Sequence, residues 1–135
     1  MATLLLKSEP REYSFGDLVR DRRAWWEGVT SAPAQKAMRE ARAGDEAFIY
    51  HTGDERRIVG LARIITDPVP DPRLDNPKAV MFEVAPLRPA RAPVTLAQIK
   101  GDERFKEFAL VKQSRLSVMG VPPALDRALR ELAGL

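Results

Sequence analysis

Gly44-Asp45-Glu46-Ala47-Phe48-Ile49-Tyr50-His51-Thr52-Gly53-Asp54 is the stretch that decides how this 135-residue chain folds. Gly44-Asp45 closes the helix before it, because Gly readily takes the left-handed conformation that ends helices. Gly53-Asp54 opens a turn. Between the turns Ala47 to Tyr50 are apolar or aromatic, which suits a buried strand. The strand ends on three hydrogen-bonding side chains in succession, Tyr50, His51 and Thr52. Ile58 to Thr66 reads as a second strand, with Gly60 marking a bulge or a close backbone approach. The loop 53–57 joins the two as a hairpin.

Upstream, Leu4 to Leu6 are a short buried strand ended by Lys7-Ser8-Glu9-Pro10. Ser14, with Asp17 three residues on, caps a helix over Phe15 to about Asp21 that turns Leu18 and Val19 inward. Trp25 and Trp26 fall in a loop, where one packs and the other lines a surface or a pocket. Gly28 permits a tight turn just beyond them. Ser31 caps the clearest helix, Pro33 sits in its first turn, and it runs to about Arg42. Its buried face is Ala34, Ala37, Met38 and Ala41; Gln35, Lys36, Arg39, Glu40 and Arg42 face water.

Downstream, Asp67 to Pro72 is a loop stiffened by three prolines. Lys78 to Leu87 is an edge or bent strand, delimited by Pro86, Pro89 and Pro93. Short helices over 95–100 and from Asp102 through Leu110 follow, the second turning Phe105 and Phe108 inward. Ser114 to Val121 reads as the last strand. Pro122-Pro123 opens a terminal helix with one apolar stripe of Leu125, Ala128, Leu129 and Leu132. Helices and strands do not alternate regularly, which opposes a doubly wound parallel sheet. The pattern predicts an α+β fold: a mixed or antiparallel β-barrel of about five to six strands flanked by helices, forming one domain over 1–135.

Composition narrows the function classes. The chain has no Cys and one His, which excludes a disulfide scaffold, a thiolate nucleophile and a Cys- or His-rich metal site. No metal or cofactor is expected. The N-terminus lacks a basic leader and a long apolar run, so neither a signal peptide nor a membrane span is expected, and the default location is the cytoplasm. Net charge is +3, with Arg supplying 16 of the 22 basic residues. Arg presents planar forks to phosphates, so a polyanionic partner is permitted without being required.

No Gly-x-Ser-x-Gly, phosphate loop or dinucleotide fingerprint is present, and no carboxylate pair stands out. No catalytic residue is assigned. A lone His at a strand end more often makes a structural hydrogen bond. Recognition of one flat ring fits the remaining residues better, since it needs aromatic walls and a few polar groups to read an edge. Trp26 and Tyr50 are candidate walls. Ser8, His51, Thr52, Ser114 and Ser117 are candidate readers, and Arg115 with nearby basic residues could hold phosphate.

Lys7-Ser8-Glu9-Pro10, Tyr13-Ser14-Phe15, Trp26-Glu27-Gly28-Val29, Gly44-Asp45, Phe48-Ile49-Tyr50-His51-Thr52, Gly60, Pro70-Asp71 and Ser114-Arg115-Leu116-Ser117-Val118 together resemble the EVE domain family. The resemblance runs in order over nearly the whole chain. It implies a PUA-like fold related to the YTH readers of methylated adenosine. It also implies a nucleic-acid partner, with modified bases such as 5-substituted cytosines as ligands, and no catalysis. The site it implies comprises Ser8, Glu9, Trp26, Gly28, Val29, Thr30, Tyr50, His51, Thr52, Ser114, Arg115, Leu116 and Ser117, with phosphate contacts from Lys7, Lys112 and Arg115. One departure stands out: Thr30-Ser31 replaces the Arg-Asn that the family commonly carries. Two other function classes stay open at this point: a hydrolase or nuclease with His51 as base, and a small-ligand protein that never meets nucleic acid. Oligomeric state is not read from the sequence.

Overall fold

The computed structural model describes residues 1–135. Seven strands form one mixed, curled sheet: β1 (Thr3–Ser8), β2 (Ala24–Trp26), β3 (Glu46–His51), β4 (Arg57–Ile64), β5 (Val69–Pro70), β6 (Val80–Thr95) and β7 (Val118–Gly120). Their order is β2-β6-β4-β3-β1-β7, with β5 paired to β6 beside this path. Only β1 and β3 are parallel, with Lys7 opposite Tyr50 and Ser8 opposite His51. The helices are α1 (Phe15–Asp21), α2 (Ala32–Glu40), α3 (Leu96–Lys100), α4 (Ala109–Lys112) and α5 (Pro123–Ala133), with a 3-10 turn at Glu103–Phe105. No helix is long and apolar enough to cross a membrane.

The unbroken apolar runs in β1 and β3 reflect a sheet covered on both faces. Successive side chains of a strand point to opposite faces. Accordingly Leu5, Phe48 and Tyr50 pack with Phe105, Phe108 and Leu129, whereas Leu4, Leu6, Ala47 and Ile49 pack with Phe15, Leu18, Ala34 and Met38. The capping box at Ser14 and Asp17 and the Ser31 and Thr95 caps form as their sequences dictate.

Gly60 is the close approach expected of it: a Cβ there would lie 2.6 Å from the Phe15 ring. The sheet registers also slip beside it, between Ile49 and Tyr50 and between Ile58 and Gly60. Gly60→Ala is expected to cost about 1–3 kcal/mol through overpacking, read as a lower denaturant midpoint at unchanged m-value.

Several expectations are corrected. The two Trp residues lie in β2, paired with Glu83 and Phe82, and not in a loop. The strand expected over 78–87 runs 80–95, because beyond Val84 only β4 pairs with it. The other edge needs no N–H donors there, so Pro86, Pro89 and Pro93 are tolerated. The last strand is three residues long; Ser114 to Ser117 is a turn closed by Leu116 N–H donating to Gln113 O. The helix expected over 102–110 is a 3-10 turn plus α4. Helix α2 stops at Glu40, and Gly44 (φ 98°) turns the chain into β3. Val19 and Leu132 are exposed rather than inward.

Candidate nucleic-acid interface

The ends of β1 and β3 and the 114–117 turn converge. Thr52 N–H donates to Ser8 O and Lys7 N–H to Ser117 O, each at 2.9 Å. The Lys7 ammonium donates to Ser114 O at 2.9 Å and lies 5.8 Å from the Tyr50 ring centre. Burial holds that ammonium below the usual lysine pKa. Lys7 thereby becomes a partition between two cavities.

On one side is a cavity of about 270 Å3 lined by Ser8, Glu9, Glu12, Tyr13, Trp25, Trp26, Glu27, Val29 and Ser117 as well as Lys7. Trp26 and Val29 rest on the core, while Trp25 is 42% exposed at the mouth. Both Trp residues therefore border it. The Ser8 hydroxyl already donates to Tyr13 O, so it offers a ligand only acceptor capacity. Three carboxylates face one ammonium here. Glu9 accepts from Arg11 N–H and Glu27 from the Arg73 guanidinium, and the Glu12 carboxylate has no hydrogen-bonded partner.

On the other side of Lys7 is a cavity of about 320 Å3 bordered by Tyr50, Thr52, Arg56, Lys100 and Ser114 over Leu96, Leu110 and Val111. A third hollow holds Ser31, Lys112, Ser114, Arg115 and Leu116. Lys112 is paired there with Glu107 at 2.7 Å.

The single pocket expected from sequence is thus divided. Ser8, Glu9, Trp26, Val29 and Ser117 come together; Tyr50, Thr52 and Ser114 border the second cavity; Arg115 and Leu116 lie in the third. Gly28, Thr30 and His51 border none of these three. For Tyr50-His51-Thr52 the reason is the pleat, which sends His51 to the opposite face from its neighbours.

His51 is 7% exposed. Its Nε2 accepts from Phe15 N–H at 3.0 Å, satisfying a donor in the first turn of α1, and its Nδ1 donates to Glu55 at 2.9 Å. That hydrogen bond, ahead of the nearby Arg57, holds the Glu55 carboxyl below its usual pKa. The ring is a strut between hairpin and helix.

Two positioning residues escaped the sequence reading. Asp71, buried, accepts from Gly28 N–H at 2.8 Å and from Arg73 N–H at 2.9 Å. Gln35, expected in water, is buried; its amide donates to Val29 O and Val80 O and accepts from Val80 N–H. Together they pin the loop that follows Trp26. In the sequence Pro70-Asp71 stands out only as a motif, and Gln35 carries no signal beyond its place next to an apolar stripe. Asp71→Ala is expected to leave the Gly28 and Arg73 donors without their acceptor, at a cost of about 1–3 kcal/mol. Thermal unfolding gives the cost, and a changed Trp emission maximum reports the loosened loop.

The EVE domain profile matches residues 2–132. The chain belongs to the EVE domain family. Among curated relatives of this EVE domain, thymocyte nuclear protein 1 of Gallus gallus is 30% identical over 148 residues, covering 84% of this chain. The chain spans only 61% of that relative's length. Among solved structures, Rpa0253 of Rhodopseudomonas palustris superposes with a TM-score of 0.93 at 36% identity, covering 99% of this chain and 94% of that one. Human THYN1, crystallised in complex with 5-methylcytosine-containing DNA, superposes with a TM-score of 0.91 at 25% identity, covering 100% and 99%. The curled mixed sheet with flanking helices is the fold of these EVE neighbours, as the α+β, PUA-like expectation had it.

Proposed function

We propose that this EVE domain binds nucleic acid and reads a modified base, a 5-substituted cytosine being the favoured ligand, without catalysing a reaction on it. The observation that carries the reading is the Trp26 cavity: small, walled by indoles, floored by Val29 and rimmed by carboxylates and a free hydroxyl. A cavity of about 270 Å3 sits just below the usual range for drug-sized ligands, the size class of one heterocycle. Carboxylates accept from the cytosine 4-amino group. The Ser117 hydroxyl, with no protein partner, can donate to an acceptor on the same edge. Three carboxylates against one ammonium suit a neutral base and repel a phosphate. Binding of 5-methylcytosine DNA by the human relative, over a superposable fold, supports the same ligand here.

A non-catalytic role is supported by His51. Its Nε2 lone pair is committed to Phe15 N–H, so His51 is not a free base for a hydrolase. A buried methyl is worth about 0.8 kcal/mol, or about fourfold in affinity. Competition between otherwise identical oligonucleotides is therefore expected to favour 5-methylcytosine over cytosine by about fourfold or more. Equal binding of both, with Trp26→Ala unchanged, would contradict base reading.

A further inference from the structure

The cavity beyond Lys7 has the opposite electrostatic character from the base cavity. Three cations border it, Lys7, Arg56 and Lys100, and no carboxylate does. None of the three forms a salt bridge. The hairpin carboxylates beside Arg56 are spoken for: Asp54 pairs with Arg11, and Glu55 with His51 and Arg57. Arg56 also holds a left-handed backbone conformation (φ 46°), uncommon for a non-glycine residue.

An unpartnered hydroxyl points the same way. Tyr50 as a residue is 3% exposed, but its hydroxyl is not itself buried, makes no hydrogen bond within the protein, and belongs to a side chain that lines this cavity. The Thr52 hydroxyl makes only a long 3.4 Å contact to Ser8 O. Leu96, Leu110 and Val111 add apolar lining, which lowers the local dielectric and strengthens the attraction between an anion and the bordering cations.

We infer that this cavity is an oxyanion site for a phosphate group, held by Lys7, Arg56 and Lys100 with the Tyr50 and Thr52 hydroxyls as neutral donors. Guanidinium, ammonium and hydroxyl donors bordering one cavity suit a phosphate, which accepts on several oxygens. Because Lys7 borders both cavities, a strand whose base enters beside Trp26 can lay a neighbouring phosphodiester here. That identification of the source rests on the nucleic-acid reading above. The anion site itself does not, and a free phosphate is the other source of the same chemistry.

The test has two arms. In the first, the affinity for a single-stranded 5-methylcytosine oligonucleotide is measured against salt concentration. Each lost phosphate contact lowers the log–log slope by about 0.7. The R56Q/K100Q double variant removes the one phosphate contact at this cavity and is expected to lower it by about 0.7, and Tyr50→Phe to weaken binding about tenfold at unchanged slope. A wild-type slope in the double variant would overturn the assignment to a strand phosphodiester. In the second arm, inorganic phosphate is titrated while the amide NMR signals of Thr52, Gly53 and Arg56 are followed. Should the wild type bind no oligonucleotide, the base-reading proposal fails and this arm alone decides. Saturable shifts that the double variant abolishes would establish the site with free phosphate as ligand; no shifts would overturn it.

Discussion

Trp26→Ala weakens binding of 5-methylcytosine DNA by between about fivefold and 150-fold, the expected consequence of losing one stacking wall worth roughly 1–3 kcal/mol. The size of the effect follows from where the indole sits. One side of Trp26 rests on the core beside Val29, and the other borders the cavity. A base entering there gains a rigid platform whose position is already fixed by Asp71 and Gln35 through the following loop. Trp25, more exposed and at the mouth, is expected to matter less. Because Trp26 also packs on the core, Trp26→Phe serves as the control: it keeps an aromatic face and is expected to retain most of the affinity. Fluorescence anisotropy of a labelled oligonucleotide reads both variants, and circular dichroism verifies that each is folded.

Arg130→Met lowers thermal stability by about 2–3 kcal/mol, or roughly 10 °C for a domain of this size. Arg130 extends from α5 to Glu46 on β3 at 2.8 Å and to Asp126 at 2.7 Å. Asp126 in turn accepts from the Thr3 hydroxyl at 2.8 Å, and the guanidinium lies 5.7 Å from the Phe48 ring centre. One cation thus joins the terminal helix to the two parallel strands, β1 and β3. Removing it leaves two half-sheltered carboxylates facing each other. Breaking a fully buried pair costs about 3–5 kcal/mol, and partial exposure of all three groups scales that down. Glu46 keeps a second, longer contact with Arg63 at 3.6 Å, which softens the loss further. A melting shift below about 2 °C would mean that α5 is held by its apolar face alone.

The parts of the fold legible in sequence were those with local signals. Leu4 to Leu6 and Ala47 to Tyr50 announced strands because a sheet covered on both faces needs apolar residues on both sides of the pleat. Ser14, Ser31 and Thr95 announced helix starts because a cap is a short-range hydrogen bond. The prolines of 86–93 misled, since their tolerance depends on which edge of β6 lacks a partner, a fact fixed by strands far away in sequence. Ser114 to Ser117 misled because the Lys7 side chain, about a hundred residues upstream, takes the Ser114 carbonyl and so belongs to a turn.

The candidate site was legible as a set of motifs and not as an arrangement. Ser8, Glu9, Trp26, Val29 and Ser117 were named and come together. His51 drew attention as the sole His, yet the alternation of β3 turns it from Tyr50 and Thr52 toward α1. Of the Thr30-Ser31 departure from the common family pattern, Thr30 is exposed and borders none of the three cavities described, whereas Ser31 borders the third. Arg56 and Lys100 carried no sequence signal, because only the curl of the sheet brings the β3–β4 turn beside the end of α3.

The chain has two Trp residues, and both border the cavity beside Lys7 that is proposed to take the base, so the intrinsic Trp fluorescence is a direct reporter of what enters it. Titration with 5-methylcytosine-containing DNA is expected to quench this emission saturably, at lower concentration than an otherwise identical unmodified strand. Binding detected by anisotropy with Trp emission unaltered, for modified and unmodified strands alike, would contradict the account.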